Sequence, residues 1–380
     1  MNIAGIHDCY GCGVCAIVCV RHIIEIRLNS DGFYEPYITD KSKCIDCGLC
    51  VNVCSYANEG LSLKSDRIQS YAAWSNDDSV RRKCSSGGVG FEIGRTLIDQ
   101  GYKVCGVRYD TDKNRAEHYI ATTIEELIPS IGSKYIQSYT VDGFKSIHRK
   151  EKYLVTGTPC QIDSFRRYIQ KFCCEDNFIL LDFFCHGVPS MLMWRKYIAW
   201  AEKQVGKLTY VSWRNKITGW HDSWAMSING EKSCLSSRLS RGDKFYRLFL
   251  SDSCLGNACY EHCKFKYANS SADIRMGDLW GSTYKEDEDG VSAVIAFTDK
   301  GDTILRQCNC AFVEHPFEVV AEGQMKTYPN IPPYSKDIWE TLRNKNATIS
   351  QVNSIIDRYE RAARWKNRVN RLLRMLCIKS

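Results

Sequence analysis

The segments CYGCGVCAIVC (residues 9–19) and CIDCGLCVNVC (residues 44–54) decide how the N-terminal part of this chain folds. Each contains four cysteines at the spacing Cys-x2-Cys-x2-Cys-x3-Cys, and the second copy follows the first by 35 residues. In such a run the first three thiolates converge on one [4Fe–4S] cluster, and the fourth cysteine reaches a second cluster. Structural zinc sites use pairs of Cys-x2-Cys and do not show this three-plus-one arrangement.

The repeat therefore predicts a small bacterial-type ferredoxin domain that binds two [4Fe–4S] clusters through crossed ligand sets. Val20 and Ser55 stand where this motif usually has proline after the fourth cysteine, and proline is not a ligand. The expected ligands are Cys9, Cys12, Cys15 and Cys54 for one cluster, and Cys44, Cys47, Cys50 and Cys19 for the other.

The composition is that of an ordinary globular protein with unusual cysteine content. The 380 residues include 51 basic and 44 acidic side chains, a formal net charge of +7, and 21 cysteines. Charged residues at 25% and hydrophobic residues at 44% exclude a disordered or collagen-like chain. With no signal-peptide pattern and no long apolar run, the cysteines predict a cytoplasmic protein with metal or redox chemistry, not a disulfide scaffold.

The basic charge is concentrated in residues 341–380, which contain ten Lys and Arg but only two acidic residues. Between Val352 and Leu376 apolar residues recur at helical spacing with arginines between them, which predicts a basic amphipathic helix. Three roles fit it: packing on the body with a solvated outer face, docking an anionic protein or complex, or resting on an anionic membrane surface. The sequence shows no other basic module with interleaved aromatic residues, so nucleic-acid binding is not expected.

Between the repeat and this helix, strand-like and helix-like segments alternate. The alternation favours an α+β or α/β fold over an all-helical one. We therefore expect a ferredoxin-like domain at residues 1–60, a linker at 61–69, a larger mixed α/β domain at 70–340, and the basic C-terminal helix at 341–380.

The loop Ser85-Ser86-Gly87-Gly88 precedes a predicted helix and could hold a phosphate group, although a simple capped turn explains it equally well. A dinucleotide fingerprint is absent, because Gly88, Gly90 and Gly94 give G-x-G-x-x-x-G, which is one residue too long. A Rossmann-type NAD site is thus disfavoured.

Several segments carry a family resemblance when taken together in order. They are KCSSGG (83–88), GSKYIQS (132–138), TGTPCQ (156–161), DFFCHGVPS (182–190), WRNK (213–216), GW (219–220) and DIRMGDLWG (273–281). With the cysteine repeat, they make the chain resemble the beta-subunit family of coenzyme F420 hydrogenases and dehydrogenases, in the form with an N-terminal two-cluster ferredoxin domain. The resemblance covers about residues 5–300.

The resemblance implies a flavin, FAD, between the clusters and an organic or deazaflavin substrate. A flavin suits this position because it exchanges electrons singly with clusters and in pairs, as hydride, with substrates. The candidate flavin contacts are Ser85, Ser86, Gly87, Gly88, Lys134, Tyr135, Gln137, Thr158 and Gln161.

Two further groups remain open as predictions. Asp182, Cys185 and His186 end a hydrophobic strand, where ligand-facing residues emerge in α/β sheets; Cys185 or His186 could donate a proton, or both could be structural. Arg214, Lys216, Trp220 and His221 could form a substrate pocket or belong to the core. A third cluster is conceivable on Cys254, Cys259 and Cys263, with Cys160 and Cys185 as companions, although structural thiols would explain these cysteines as well.

These predictions together describe an iron–sulfur flavoprotein oxidoreductase. Electrons would pass between the two clusters, fed by ferredoxin or another redox protein, and FAD, and then as hydride to or from an organic acceptor. Two alternatives remain: an oxidoreductase subunit that uses the deazaflavin coenzyme F420, and a non-catalytic electron-transfer subunit of a larger redox complex.

Overall fold

The computed structural model describes residues 2–62 and 68–377, with side chains described as far as residue 369. Residues 63–67 of the predicted linker therefore lie outside the described part. The N-terminal unit pairs two short helices with one antiparallel hairpin. A glycine with positive φ precedes each helix, Gly13 at 75° and Gly48 at 73°. The elements are α1 (Val14–Val18), β1 (Ile24–Leu28), β2 (Tyr34–Ile38) and α2 (Leu49–Asn52).

The larger region contains the mixture of strands and helices that the alternation predicts. Its elements are β3 (Gln69–Ser75), α3 (Asp78–Lys83), α4 (Val89–Asp99), β4 (Lys103–Asp110), β5 (Arg115–Ala121), α5 (Ile124–Leu127), β6 (Ser138–Tyr139), α6 (Val141–Lys145), β7 (Tyr153–Thr156), α7 (Pro159–Lys171), β8 (Phe178–Phe183), α8 (Met191–Val205), β9 (Leu208–Ser212), β10 (Ala225–Gly230), β11 (Cys234–Arg238), α9 (Lys244–Leu250), β12 (Ile274–Asp278), β13 (Ser292–Ala296), α10 (Asp299–Leu305), β14 (Cys310–Glu314), α11 (Phe317–Val320), α12 (Ser335–Arg343) and α13 (Ile349–Cys377).

Within the described residues, nine of these strands form one mixed sheet in the order β14-β3-β13-β12-β8-β7-β4-β5-β6, and β11-β10-β9 form a second. The four central strands β12, β8, β7 and β4 run parallel. Strand β8 is an almost continuous apolar run that is buried on both faces, as a central parallel strand requires. The sequence prediction of a ferredoxin-like unit followed by a mixed α/β region is thus confirmed at this level.

A buried ion pair joins two of the central strands. Asp182 of β8 and Arg275 of β12 are register partners, and neither side chain is exposed to solvent. Arg275 Nε and Nη2 each donate to one carboxylate oxygen of Asp182 at 2.7 Å. The expected ligand-facing orientation of Asp182 is wrong, because its carboxylate is committed to this pair inside the protein.

A buried histidine on β5 should make stability depend on pH. His118 is 2% exposed, its Nε2 lies 3.0 Å from the Thr156 carbonyl, and burial lowers its pKa to about 4. The unfolded chain, with an ordinary histidine pKa of about 6.5, takes up this proton first, so stability falls as pH drops below about 6.5.

Proton uptake by His118 in the unfolded chain accounts for about 1.4 kcal/mol of the fall in unfolding free energy on acidification to about pH 5.5. We expect the His118→Gln variant not to show this part of the fall. Urea unfolding of both proteins near neutral pH and near pH 5.5 measures the difference between their pH slopes. Parallel slopes would contradict this assignment.

The C-terminal helix is present, and its two halves differ. Ile349, Val352, Ile355 and Ile356 of α13 are buried in the core formed with α8, α9 and α12. Every residue from 361 to 368 is exposed. Of the three roles expected for this helix, packing on the body thus describes its first half only. No helix among the described residues is both long and apolar enough to cross a membrane.

Candidate redox site

The structure gathers the eight cysteines of the repeat around two cavities. One cavity is lined by Cys9, Cys12, Cys15 and Cys54, and the other by Cys19, Cys44, Cys47 and Cys50. These are the two crossed sets that the spacing predicts. No three His, Cys, Asp or Glu side chains of the described residues converge tightly enough to hold one metal ion. The thiols stand around a space instead, as the four iron corners of a cluster require.

The chemistry of the first set fits an iron–sulfur cluster. Burial raises the pKa of the Cys9 and Cys15 thiols and raises that of Cys12 to about 11. Buried thiols of this kind become thiolates only beside a strong positive charge, which iron supplies. In the second set Cys47 is exposed, so that site lies nearer to solvent.

A third set of four cysteines lies beside the first. Cys160 lies in the first turn of α7, Cys185 follows β8, and Cys259 and Cys263 lie in the loop after α9. Burial is the main cause that raises the pKa of the Cys160 and Cys185 thiols; nearby thiols add to it, namely Cys185 and Cys259 at Cys160, and Cys263 at Cys185.

Cys254, which was predicted together with Cys259 and Cys263, has a different sulfur contact. Its sulfur lies 3.5 Å from Met193 Sδ in the aromatic core around α8. Cys259 packs against the same core from its edge, so the structure assigns Cys254 a packing contact without excluding it from the neighbourhood of Cys259.

Helix α7 connects the first set with the third. Cys12 Sγ donates to Ser164 Oγ on α7 at 3.3 Å, and Ser55 Oγ donates to the Cys160 carbonyl at 3.0 Å. Tyr10 packs between Tyr56 and Phe265 next to Cys160. The two cysteine sets are thus neighbours across the boundary between the N-terminal unit and the larger region.

A cavity of about 500 Å³ opens on the other side of the third set. It is bordered by the carboxyl-terminal ends of the parallel strands, where open α/β sheets bind their ligands. Its volume falls within the range of small-molecule and cofactor pockets. Its aromatic lining includes Tyr135, Trp224, Phe249 and Trp280, and the Tyr135 and Trp224 rings stack at 5.1 Å.

Most of the predicted flavin contacts line this cavity. Two of the predicted contacts, Gly87 and Gln137, do not line it. The backbone N–H of Gly87 donates to Ser292 Oγ behind the loop. Gln137 accepts from the Tyr34 N–H at 2.8 Å and donates to the Tyr10 carbonyl at 3.1 Å, so it fixes the N-terminal unit to the body. The predicted residues that line the cavity are Ser85, Ser86, Gly88, Lys134, Tyr135, Thr158 and Gln161.

The loop at residues 85–88 can hold an anion through its backbone. Gly88, at φ 87°, precedes the eleven-residue helix α4, and no side chain caps that helix. The first N–H groups of α4 therefore have no side-chain acceptor and lie at the wall of the cavity, with the helix dipole behind them. This arrangement suits the phosphate groups of a dinucleotide cofactor.

The Lys134 amine is already bound by backbone carbonyls, unlike the amine of a free cofactor ligand. Its amine donates to the carbonyls of Ser130, Ile131 and Gly132 at 2.9–3.0 Å, and a fourth carbonyl, of Pro129, lies at 3.1 Å. Burial lowers its pKa to about 7. The side chain thus closes the turn before the GSKYIQS segment.

Both predicted proton donors reach the cavity. His186 Nε2 lies 2.7 Å from Asp252 Oδ1, and its ring centroid is 4.8 Å from that of Phe249. Cys185, although it lines the cavity, is also a member of the third cysteine set. The Lys266 amine donates to the carbonyls of both residues, at 2.6 and 2.9 Å.

The group formed by Arg214, Lys216, Trp220 and His221 does not line the cavity. Arg214 is buried behind it, donates to Tyr135 Oη at 3.1 Å and forms an ion pair with Asp278 at 3.0 Å. The Trp220 indole N–H also donates to Asp278. Arg214 and Trp220 thus support the wall of the cavity from behind. Asp278 and Trp280 do line the cavity and belong to the DIRMGDLWG segment, but they were not among the predicted site residues. Trp224, which also lines the cavity, lies outside every quoted motif.

Comparison with family models identifies three consecutive matches. Residues 8–58 match a 4Fe-4S dicluster domain. Residues 70–143 match the N-terminal part, and residues 150–315 the C-terminal part, of the coenzyme F420 hydrogenase/dehydrogenase beta subunit. The chain belongs to this beta-subunit family. The predicted family is thus confirmed, and the dicluster match supports two [4Fe–4S] clusters.

No curated protein matches this beta-subunit chain. Among solved structures it is similar to a chain in the xenon-derivatised F420-reducing [NiFe] hydrogenase complex from Methanosarcina barkeri. The identity is 18%, the match covers 76% of this chain and 91% of the other, and the TM-score is 0.45.

Proposed function

We propose that this chain is an FAD-containing iron–sulfur oxidoreductase that transfers hydride between its flavin and the deazaflavin coenzyme F420. The observation that carries the proposal is the cavity of about 500 Å³ lying between the third cysteine set and the Ser-Ser-Gly-Gly loop. The family match favours the deazaflavin alternative over the unspecified organic acceptor expected first.

The residues of the cavity would act on the bound flavin in three ways. The 85–88 loop and the start of α4 would bind its phosphate groups through backbone N–H donors. Thr158 and Gln161 form a capping box that fixes the turn after β7 against the cavity. The aromatic wall excludes water and offers faces on which flat rings can stack.

The flavin would supply the exchange between single electrons and hydride. We propose that Cys160, Cys185, Cys259 and Cys263 hold a third [4Fe–4S] cluster. The three cysteine sets would then form a series from the exposed Cys47 to the wall of the cavity. This series gives a one-electron donor, a ferredoxin or another redox protein, a continuous connection to the pocket.

With Cys185 assigned as a ligand, His186 is the proposed proton donor. A thiolate bound to iron has no proton to give, whereas His186 lines the cavity with Asp252 at 2.7 Å from its Nε2. The neighbouring Asp252 carboxylate and the Phe249 ring fix the position of the imidazole at the wall of the cavity.

The test is hydride transfer by the chain purified anaerobically with its cofactors. We expect reduced coenzyme F420 to reduce the flavin and the clusters, whereas NADH leaves both oxidised. Reduction by NADH and not by the deazaflavin would contradict the proposal. No reaction with either, together with a tightly copurifying partner enzyme, would favour the non-catalytic electron-transfer subunit.

A further inference from the structure

The outer half of α13 is a helical arm whose described side chains are almost all exposed to solvent. Among the side chains of this helix that the structure describes, Ile355 and Ile356 are the last buried ones, and all of 361–368 is exposed. The helix continues to Cys377, so residues 361–377 extend for about 25 Å at ~1.5 Å per residue. An isolated helix of this length is marginally stable in water, so the arm gains from a partner surface.

The charge on this arm has one sign. The exposed residues Arg361, Arg364, Lys366 and Arg368 are accompanied by no acidic residue, and the sequence from 361 to 380 contains seven Lys and Arg and no Asp or Glu. The last acidic residues before it are already engaged. Asp357 lies 2.7 Å from Arg247, and Glu360 lies 3.6 Å from Arg247 and 3.8 Å from Arg364.

A small apolar strip runs between these charges. Ala362, Trp365 and Val369 are spaced at i, i+3 and i+7, which places them on one side of a helix. Trp365 is 70% exposed, and it is the only tryptophan among the strongly exposed large apolar residues of the described part. The sequence continues this spacing with apolar residues at 372, 373 and 376.

We propose that this arm docks on an anionic phospholipid surface. Tryptophan suits the headgroup region because its ring is apolar and its N–H is polar, and flanking arginines can reach the phosphates while their stems lie on the apolar strip. A second copy of the chain fits poorly, because pairing two such arms would bring like charges together with no acidic residue between them. The proposal is independent of the reaction at the flavin pocket.

The test is cosedimentation of the full-length holoprotein with vesicles. We expect binding to vesicles of equimolar phosphatidylcholine and phosphatidylglycerol, weak binding to phosphatidylcholine alone, and release by salt. Each basic residue near such a surface contributes about fivefold in partitioning. Arg361→Glu/Arg364→Glu/Arg368→Glu should therefore lower partitioning by at least about a hundredfold.

Matched variants separate this arm from the general charge of the protein. Lys145→Glu/Lys150→Glu/Lys171→Glu makes the same charge change at exposed positions of the body and should lower partitioning far less. Trp365→Ala should weaken binding, whereas Tyr210→Ala, at a residue that is 52% exposed, should not. Redox activity in solution should be unchanged in all four variants, since none lies at the cysteine sets or the cavity.

Three results would overturn the proposal. The first is no binding to the charged vesicles. The second is equal loss of binding in the arm and body charge variants. The third is binding of the holoprotein to soluble poly-glutamate, dependent on Trp365, without binding to vesicles, which would identify an acidic protein as the partner of the arm.

Discussion

Replacing Cys263 by serine is expected to remove about four iron atoms per chain and to disconnect the N-terminal clusters from the flavin pocket. The reason is the arrangement of the third set, in which Cys160, Cys185, Cys259 and Cys263 come from three separate segments and lie between the first cluster site and the cavity.

Cys254→Ser is the matched control for this experiment. Cys254 lies on the same segment and is fully buried, whereas Cys263 is partly buried, and the Cys254 sulfur contacts Met193. Iron analysis and the rate of flavin reduction by reduced ferredoxin should thus be normal in Cys254→Ser. In Cys263→Ser the rate should fall by at least about a hundredfold, which corresponds to an activation free energy about 2.7 kcal/mol higher. Equal iron content in the two variants would refute the third site.

Arg275→Met is expected to destabilise the protein by about 3–5 kcal/mol. Arg275 and Asp182 are both 0% exposed, and removal of the guanidinium leaves a carboxylate buried without its counter-charge between two central strands. The urea midpoint of the anaerobic holoprotein, followed by tryptophan fluorescence, measures the change.

Two further variants make this prediction specific. Arg306→Met breaks an ion pair with Asp302 at a side chain that is largely exposed, and it should cost less than about 1 kcal/mol. The double variant Asp182→Leu/Arg275→Met removes both charges and should recover part of the loss. A double variant no more stable than Arg275→Met would show that packing, not the unpaired charge, sets the cost.

The N-terminal unit was the part most fully predictable from the sequence, and the reason is local. Its eight cysteines follow a spacing that has one geometric solution, so the crossed sets appear around two cavities as expected. The same holds for the loop at 85–88, since a glycine turn before a helix has few conformations.

The third cysteine set could not be derived from spacing. Cys160, Cys185 and Cys259 are brought together by the order of strands β7 and β8 and by the fold of the loop after α9, which periodicity does not reveal. For the same reason the contact between the Cys254 and Met193 sulfurs could not be predicted. Gln137 and Lys134 stand in segments with a family resemblance, and their side-chain partners depend on tertiary contacts that no motif encodes.

The central claim is that three clusters and one flavin form a single series in this chain. Iron, sulfide and flavin analysis of the full-length protein, purified anaerobically, tests it most directly. The proposed function predicts about twelve iron atoms and about one FAD per chain. About eight iron atoms with no flavin would contradict the account, because the ferredoxin-like unit would then have neither the third site nor the pocket to which it connects.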